Sequence, residues 1–357
     1  MRHARMTAVL SLRSNSLQGS KKVSRIDRFA EGKVPHNLLS ALLSRITKPG
    51  KEVIIGPEVG EDAFAVGVGR TVLIGTTDPI TFTCEHIGYY AVNVNANDVA
   101  TMGARPRWFL ATVLVPPRFK SRALRMIFDE IDKTCIDLGI RLCGGHTEVT
   151  SAVAEPVVVG AMLGTVSRKK LVVAKRAREG DVLLLTKRLA IEGTSIIARA
   201  RRKEVEALLG RRSAARARNL LFNPGMSVVR EALCAVDTAP VHAMHDPTEG
   251  GVLWGLKEIS LATGLGFRVE LESIPVYEET RLICKHFKIN PLGLIASGSL
   301  LIAVSRRDSM RIVEALKPLR VDCSPIGILQ GQRARLSNRG ESMRLPHLKA
   351  DEISKVL

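Results

Sequence analysis

Three aspartates in the first half of the chain stand among apolar or small neighbours instead of in polar runs. Asp62 lies in Gly60-Glu61-Asp62-Ala63-Phe64 and Asp78 in Thr76-Thr77-Asp78-Pro79. Asp98 lies in Asn97-Asp98-Val99-Ala100-Thr101-Met102-Gly103-Ala104. Carboxylates drawn together repel by about 4 kcal/mol per pair at roughly 4 Å and an effective dielectric near ~20, and a bound cation removes that penalty. Hard oxygen donors with no Cys or His pair beside them suit Mg²⁺ better than zinc. Read singly, each aspartate is equally a helix cap or a turn residue. Spacing alone does not show that the three converge.

Glycine-rich turns supply the complementary feature: Gly56-Pro57-Glu58-Val59-Gly60, Gly144-Gly145-His146-Thr147-Glu148 and Gly250-Gly251. Glycine lets backbone N–H groups approach an anion, and a helix start adds partial positive charge. Asp246-Pro247-Thr248-Glu249-Gly250-Gly251 runs straight into a helical pattern and so reads as a phosphate-facing turn. It is not a Walker loop, and no G-x-G-x-x-G follows a strand. His146 and His245 flank these turns and could take a proton or contact phosphate, although a hydrogen-bonded loop histidine is the plainer reading of each. No nucleophile elbow or Ser-His-Asp pattern is present, and nothing near Cys84 in sequence would depress its pKa.

These residues need a scaffold. Strands are expected at residues 71–75, 108–115 and 156–166, and then at 182–185, 241–244, 267–271, 299–305 and 322–329. Pro116-Pro117 stops the second of them, because proline cannot donate to a ladder. Helices are expected at 88–102, 251–263 and 309–316. Another is marked by Leu124, Ile127, Phe128, Ile131, Cys135 and Leu138, which share one face at 3.6 spacing. Alternating strands and helices predict α/β or α+β layers in both halves, with a boundary in the charged stretch 167–179.

The 357 residues are 45% hydrophobic but only 4% aromatic, so a core must be built from Val, Leu, Ile and Ala. No apolar run is long enough to span a bilayer. Six cysteines are scattered without a C-x-x-C pair, which predicts reduced thiols and a cytoplasmic protein. The formal net charge is +18. Part of the excess sits in residues 1–26, which hold six Lys or Arg and no acid. That segment reads as a flexible extension, with a transit peptide as the alternative. A second cluster comprises Arg199, Arg201, Arg202, Lys203, Arg211, Arg212, Arg216 and Arg218. It reads as the solvated face of an amphipathic helix. Without base-stacking aromatics or a known motif, nucleic-acid binding is not expected.

In order along the chain, GEDAFAV, TTDP, NVNANDVATMGARP, CGGHTEV, MHDPTEGGVLWGLKEI and ASGSLLIAV resemble the aminoimidazole ribonucleotide (AIR) synthase superfamily. The likeness spans about residues 35–330 and is greatest to its HypE and AIR synthase-related branch. The superfamily also holds selenophosphate synthetase and thiamine-monophosphate kinase. The ordered combination is specific, although no single piece is.

The resemblance implies an amino-terminal α/β domain over 35–168, which dimerises through its sheet, and a second α/β domain over 169–335. Residues 1–34 would be an extension and 336–357 a tail. It implies a homodimer that binds ATP with Mg²⁺ and acts on an unidentified small-molecule or protein-borne acceptor. Carried over by motif position, Asp62, Asp78 and Asp98 would hold the metal. Gly60, Glu61, Asp62, Asp78, Asn97, Asp98, Gly144, Gly145, Thr147 and Thr248 would line the nucleotide. Asp78, Asp98, His146 and Asp246 would be the catalytic set. The implied chemistry phosphorylates an amide- or carbamoyl-type oxygen, making it a leaving group. A non-catalytic nucleotide-binding scaffold for a maturation partner, or a kinase of the thiamine-monophosphate type, would be the alternatives.

Four departures accompany the likeness. The sequence ends Ile353-Ser354-Lys355-Val356-Leu357, without the terminal cysteine that carries the carbamoyl group in HypE, so dehydration on its own terminus is not expected. Ser297 stands where that branch tends to carry Glu. His146 stands where many members have Asp, which is more like selenophosphate synthetase. The double Asp of the kinases is here Glu61-Asp62.

Overall fold

The computed structural model describes residues 34–357 apart from 47, 48, 59, 82, 84, 347 and 349. The expected extension therefore lies outside the described residues, except for Val34, as does Cys84. The chain divides into two units, 1–47 and 48–357. In the first, α1 (His36–Leu43) starts after Pro35, whose carbonyl accepts from the N–H groups of Leu38 and Leu39.

The second unit opens with β1 (Val53–Ile55), β2 (Phe64–Val68), β3 (Thr71–Ile80) and α2 (Ile87–Thr101). Then follow β4 (Arg105–Val115), α3 (Ser121–Leu138), β5 (Arg141–Val149) and β6 (Val157–Ser167). The strands form one six-stranded sheet in the order β1-β2-β3-β6-β4-β5. Only β4 and β5 run parallel, because α3 carries the chain back across the sheet between them.

The rest of the unit holds β7 (Val182–Thr186), α4 (Ile191–Ala200), α5 (Arg202–Asn219), α6 (Val229–Thr238) and β8 (Val241–His245). It continues with α7 (Gly251–Thr263), β9 (Phe267–Glu270), α8 (Glu278–Phe287), β10 (Leu301–Val304), α9 (Arg306–Leu316), β11 (Cys323–Leu329), β12 (Arg335–Asn338) and β13 (Glu341–Met343). Here the sheet order is β13-β12-β9-β11-β7-β10-β8. The fold is thus α/β, in two sheets.

β7 is buried on both faces. Val182 and Leu184 join the core shared with the first sheet, and Leu183 and Leu185 join the core beneath α4, α7 and α8. Helix α2 lies at the junction and is buried along almost its whole length. Its small residues permit this: a Cβ on Gly88 would come within 2.5 Å of the Ile127 carbonyl oxygen. Apolar packing cannot account for Asn93, Asn95, Asn97 and Asp98, which are equally buried on this helix. Buried polar groups need partners, and these side chains are what the helix positions.

Two segments differ from the sequence expectation. The Gly144-Gly145 stretch is not a turn but the middle of β5, exposed along its full length at the sheet edge. A Cβ on Gly145 would lie 1.9 Å from the Ala111 carbonyl oxygen, so close strand approach is what this glycine permits. Residues 336–357, read as a tail, extend the second sheet with most of β12 and with β13. They then fold back, so that Arg201 Nη2 and Nε donate to the carbonyl of buried Val356 at 2.5 and 3.1 Å. Short polar edge strands carry little apolar signal.

The arginine-rich stretch is helical as expected, but it breaks at Gly210, and much of its charge is used internally. Arg202 and Arg218 both reach Glu206 at 3.0 Å, and Arg216 reaches Glu279 at 2.8 Å. Among the described residues no helix is long and apolar enough to cross a membrane, and Cys135, Cys143, Cys234, Cys284 and Cys323 are free.

Candidate active site

Four acids from four elements meet where the two sheets adjoin. Asp98 projects from α2, Asp78 from β3 and Asp62 from the approach to β2, while Asp246 follows the end of β8. Thr76, two residues before Asp78, ties them together. Its Oγ1 lies 2.8 Å from the Asp62 carbonyl oxygen and 3.0 Å from Asp98 Oδ2. One hydroxyl carries one proton, so both contacts are hydrogen bonds only when the Asp98 carboxyl supplies the other proton.

The electrostatics agree. Burial first, then the charges of Asp246 and Asp78, a hydrogen bond with the Asp78 side chain and the charge of Asp62 hold the Asp98 carboxyl well above the usual carboxylate range. Asp246 is pushed up to about 7 by burial, with His245 pulling it back and Asp62 and Asp78 adding to the rise. Burial also raises Glu61, helped by Glu58 and Asp62. Like charges near a buried carboxyl shift it in this direction.

The neighbours of the acids are fixed by amides. Asn95 Oδ1 accepts from the Asp78 backbone N–H at 2.9 Å, while its Nδ2 donates to the carbonyls of Ala91 and Asp78. Gly160, opposite Asp78 on β6, leaves the room that Asn95 fills; a Cβ there would lie 2.3 Å from Asn95 Nδ2. Asn97 reaches across the junction instead, donating to the Met226 carbonyl at 3.0 Å and accepting from Val228 N–H at 2.9 Å. It therefore holds the two halves together beside the acids.

His245 lies beside them. Its Nε2 lies 2.8 Å from Glu258 Oε2 and its Nδ1 3.5 Å from Asp62 Oδ2. Burial pulls its pKa down, but the hydrogen bond to Glu258 and the charges of Asp62, Glu258 and Asp246 outweigh this and raise it to about 9. A void of about 30 Å³, lined in part by Glu61, Asp62, Met102, His245 and Glu258, lies behind the cluster. That is room for one ordered water.

The donor set suits a hard divalent cation. Asp246 Oδ2 is buried with no hydrogen-bond partner, and an uncompensated buried carboxylate oxygen is costly. Among the described residues no group of three or more acidic, histidine or cysteine side chains is arranged to hold a metal ion.

The remaining sequence candidates are placed as follows. Gly60 and Glu61 sit beside Asp62 at the mouth of the small void. Thr248 lies in the turn after Asp246, its carbonyl accepting from Gly251 and Ala296 N–H groups. Gly144, Gly145, His146 and Thr147 are not brought to the acids within one chain. They lie on β5, where His146 Nε2 is 3.6 Å from Glu148 Oε2 and both side chains are exposed. Sequence reading missed Thr76, Asn95 and Glu258. The usable signal for the first two was a run of polar residues inside an otherwise apolar strand and helix. Glu258 had none beyond its helical spacing.

Residues 60–166 match the family described as AIR synthase related protein, N-terminal domain, and residues 178–336 match AIR synthase related protein, C-terminal domain. The chain belongs to the AIR synthase related family. The two matches leave residues 167–177 between them. Among curated proteins, the chain is 26% identical over 306 residues to a Methanocaldococcus jannaschii protein named for hydrogenase expression and formation, covering 84% of this chain and 88% of that one. It is 27% identical over 278 residues to the carbamoyl dehydratase HypE of Escherichia coli K12, covering 76% and 79%.

Solved structures give the same fold. HypE in complex with ATP superposes with a TM-score of 0.68 at 20% identity, over 89% of this chain and 92% of that one. A HypE–HypF complex gives 0.68 at 21%, over 80% and 93%. ThiL complexed with AMPPCP and TMP gives 0.68 at 17%, over 88% and 94%.

Proposed function

We propose that the protein is an ATP- and Mg²⁺-dependent, HypE-like enzyme that phosphorylates the oxygen of a carbamoyl- or amide-type acceptor. The observation that carries this reading is the meeting of Asp62, Asp78, Asp98 and Asp246, drawn from both sheets, with Asp246 Oδ2 left without a partner. Such a cluster is unfavourable by itself and becomes favourable around a cation that bridges phosphate oxygens. HypE solved with ATP and ThiL solved with AMPPCP share this fold, and HypE is named as a carbamoyl dehydratase.

Mg²⁺, when bound, neutralises the charge of the transferred phosphoryl group. Asp78, Asp98 and Asp62 would hold it, with Asp246 closing from the second sheet. The chain's own residues do the positioning. Asn95 holds the Asp78 backbone, Thr76 meets the Asp98 carboxyl and the Asp62 carbonyl, and the His245–Glu258 pair keeps a positive charge beside Asp62. As the terminal phosphoryl moves, its bond to the ADP oxygen breaks while a bond to the acceptor oxygen forms. The acceptor nitrogen loses one proton as its carbonyl oxygen takes the phosphoryl group, and phosphate then departs with that oxygen as the nitrogen loses its second proton and the carbon–nitrogen bond gains order. Free cysteines at the described positions fit a reducing, cytoplasmic setting.

We also propose a homodimer joined at β5. The edge strand is exposed throughout, and Trp108, Leu110 and Leu142 are only partly covered. An open edge strand of this kind, with exposed apolar side chains beside it, is normally paired or covered.

Calorimetric titration with ATP and Mg²⁺ tests the reading. Wild type should release heat, whereas Asp78→Asn and Asp98→Asn should weaken binding at least about tenfold, the effect of a lost phosphate-site contact worth ~1.4 kcal/mol. Unchanged affinity in both variants ends the proposal. Among acceptors, free phosphate as product marks activation of the oxygen, and phosphate retained on the acceptor marks a kinase.

A further inference from the structure

A second concavity, of about 660 Å³, lies between residues 169–178 and the α6–β8 corner. Its size falls in the range of small-molecule sites, roughly 300–1,000 Å³. Lys169, Lys170, Lys175, Arg176 and Arg178 line it, against a single lining carboxylate, Asp237. Lys170 is paired with Asp237 and Lys175 with Glu58. Among the described residues no carboxylate forms an ion pair with Lys169, Arg176 or Arg178. The Arg176 guanidinium is nonetheless oriented, since its Nη1 donates to the Leu171 carbonyl at 2.9 Å. His242, also on the wall, is held by Asp181 at 2.7 Å. The floor is apolar, with Leu171, Val236 and Val241 nearly buried.

This electrostatic pattern is the inverse of the aspartate cluster. The acids repel phosphate unless a metal intervenes, whereas this groove attracts it directly. The two sites share strand β8. His242 lines the groove and Asp246 follows the strand's far end, four residues on, or about 13 Å at ~3.3 Å per residue. We propose that the groove is a metal-independent binding site for a small organic phosphate, with the cations taking the phosphate groups and the apolar floor taking the organic part. The site is separate from the nucleotide-dependent chemistry proposed above. A ligand seated on the connector between the two family domains could report on their relative position.

The test is calorimetry of the whole protein in EDTA, with ADP and with pyrophosphate as ligands. Both should bind, ADP more tightly because it also covers the floor, and affinity should fall steeply as salt rises. A Lys169→Glu/Arg178→Glu double variant should lose at least about tenfold (~1.4 kcal/mol) with an unchanged melting temperature, as both side chains are exposed and without ion pairs. Asp78→Asn should bind like wild type, which separates this result from the Mg²⁺-dependent test. No heat at millimolar ligand in EDTA, or full affinity in the double variant, overturns the site. Pyrophosphate binding as tightly as ADP overturns the role of the organic part.

Discussion

Asp78 and Gly145 lie in one transverse row of the first sheet. Asp78 is paired with Gly160, Gly160 with Ala111, and Ala111 with Gly145. Three strand spacings of about 4.8 Å place them about 14 Å apart. One phosphate group held directly by Asp78 is therefore out of hydrogen-bonding reach of Gly145 in the same chain. In the homodimer proposed above, the glycine strand of one copy would serve the acids of the other.

That geometry predicts complementation. Asp98→Asn and His146→Ala chains, each defective alone, should regain activity when unfolded together and refolded. In a two-fold dimer with random pairing, about one site in four would be intact. ATP turnover of the refolded mixture near that fraction is the expected result. Turnover no higher than the sum of the two separate variants would show that β5 and the acids work independently.

Glu192 predicts a pH dependence of stability. It is buried at the start of α4, and neither carboxylate oxygen meets a donor at good hydrogen-bond geometry. Burial raises it to about 7; nearby Ser297 draws it partly back, and Asp351 and Glu249 add to the rise. The folded state therefore keeps a proton that the unfolded chain releases near the ordinary value of 4.5. Stability should fall as pH rises from about 4.5 to 7 and level off above, by an amount on the order of 3 kcal/mol. Chemical denaturation across this range should show the slope in wild type and a shallower one in Glu192→Gln. Identical slopes would mean that Glu192 ionises normally.

Lys187 and Glu231 form a buried ion pair at 2.8 Å between β7 and α6, angled too poorly for a good hydrogen bond. Lys187 Nζ is also satisfied by the Ser227 carbonyl at 2.5 Å. Removing one member leaves a buried charge, so Glu231→Ala should cost about 3–5 kcal/mol, while Lys187→Met with Glu231→Leu should come close to wild type. Thermal unfolding of the three proteins checks this. Equal losses in the single and double variants would show that packing, not charge, dominates there.

The sequence disclosed those parts of the fold in which one face is apolar. The helix from Leu124 to Leu138 and the strand at 182–185 were visible because periodicity and apolar runs report burial directly. β5 was not visible. Its glycines, histidine and acid resemble a turn, and only the partner strand β4 makes them extended. The site was legible as residue types but not as a place. Asp62, Asp78 and Asp98 are named by their apolar surroundings and Asp246 by the glycine turn that follows it, yet how near they come to one another depends on α2 lying across both halves. The groove beside Lys169 and Arg178 was hidden for the same reason: its walls are far apart in sequence.

Asp351 offers the last prediction, because it links the final residues to the turn after Asp246. Its Oδ2 accepts from Gly250 N–H at 2.6 Å, and its Oδ1 accepts from Ile353 and Ile295 N–H groups at 2.8 and 3.3 Å. Burial raises its pKa, with those three hydrogen bonds drawing it back and Glu249 adding to the rise. The carboxylate therefore satisfies one N–H group at the start of α7, that of the N-cap Gly250, where helix donors lack partners. Asp351→Ala should cost about 1–2 kcal/mol, the usual loss for a helix cap, and Asp351→Asn less, since its amide oxygen can still accept. Hydrogen exchange separates this local role from general destabilisation: the amides of Gly250 and Ile295 should exchange faster in Asp351→Ala under conditions where the core of β7 stays protected. Unchanged exchange at Gly250 would show that the turn holds its shape without the carboxylate.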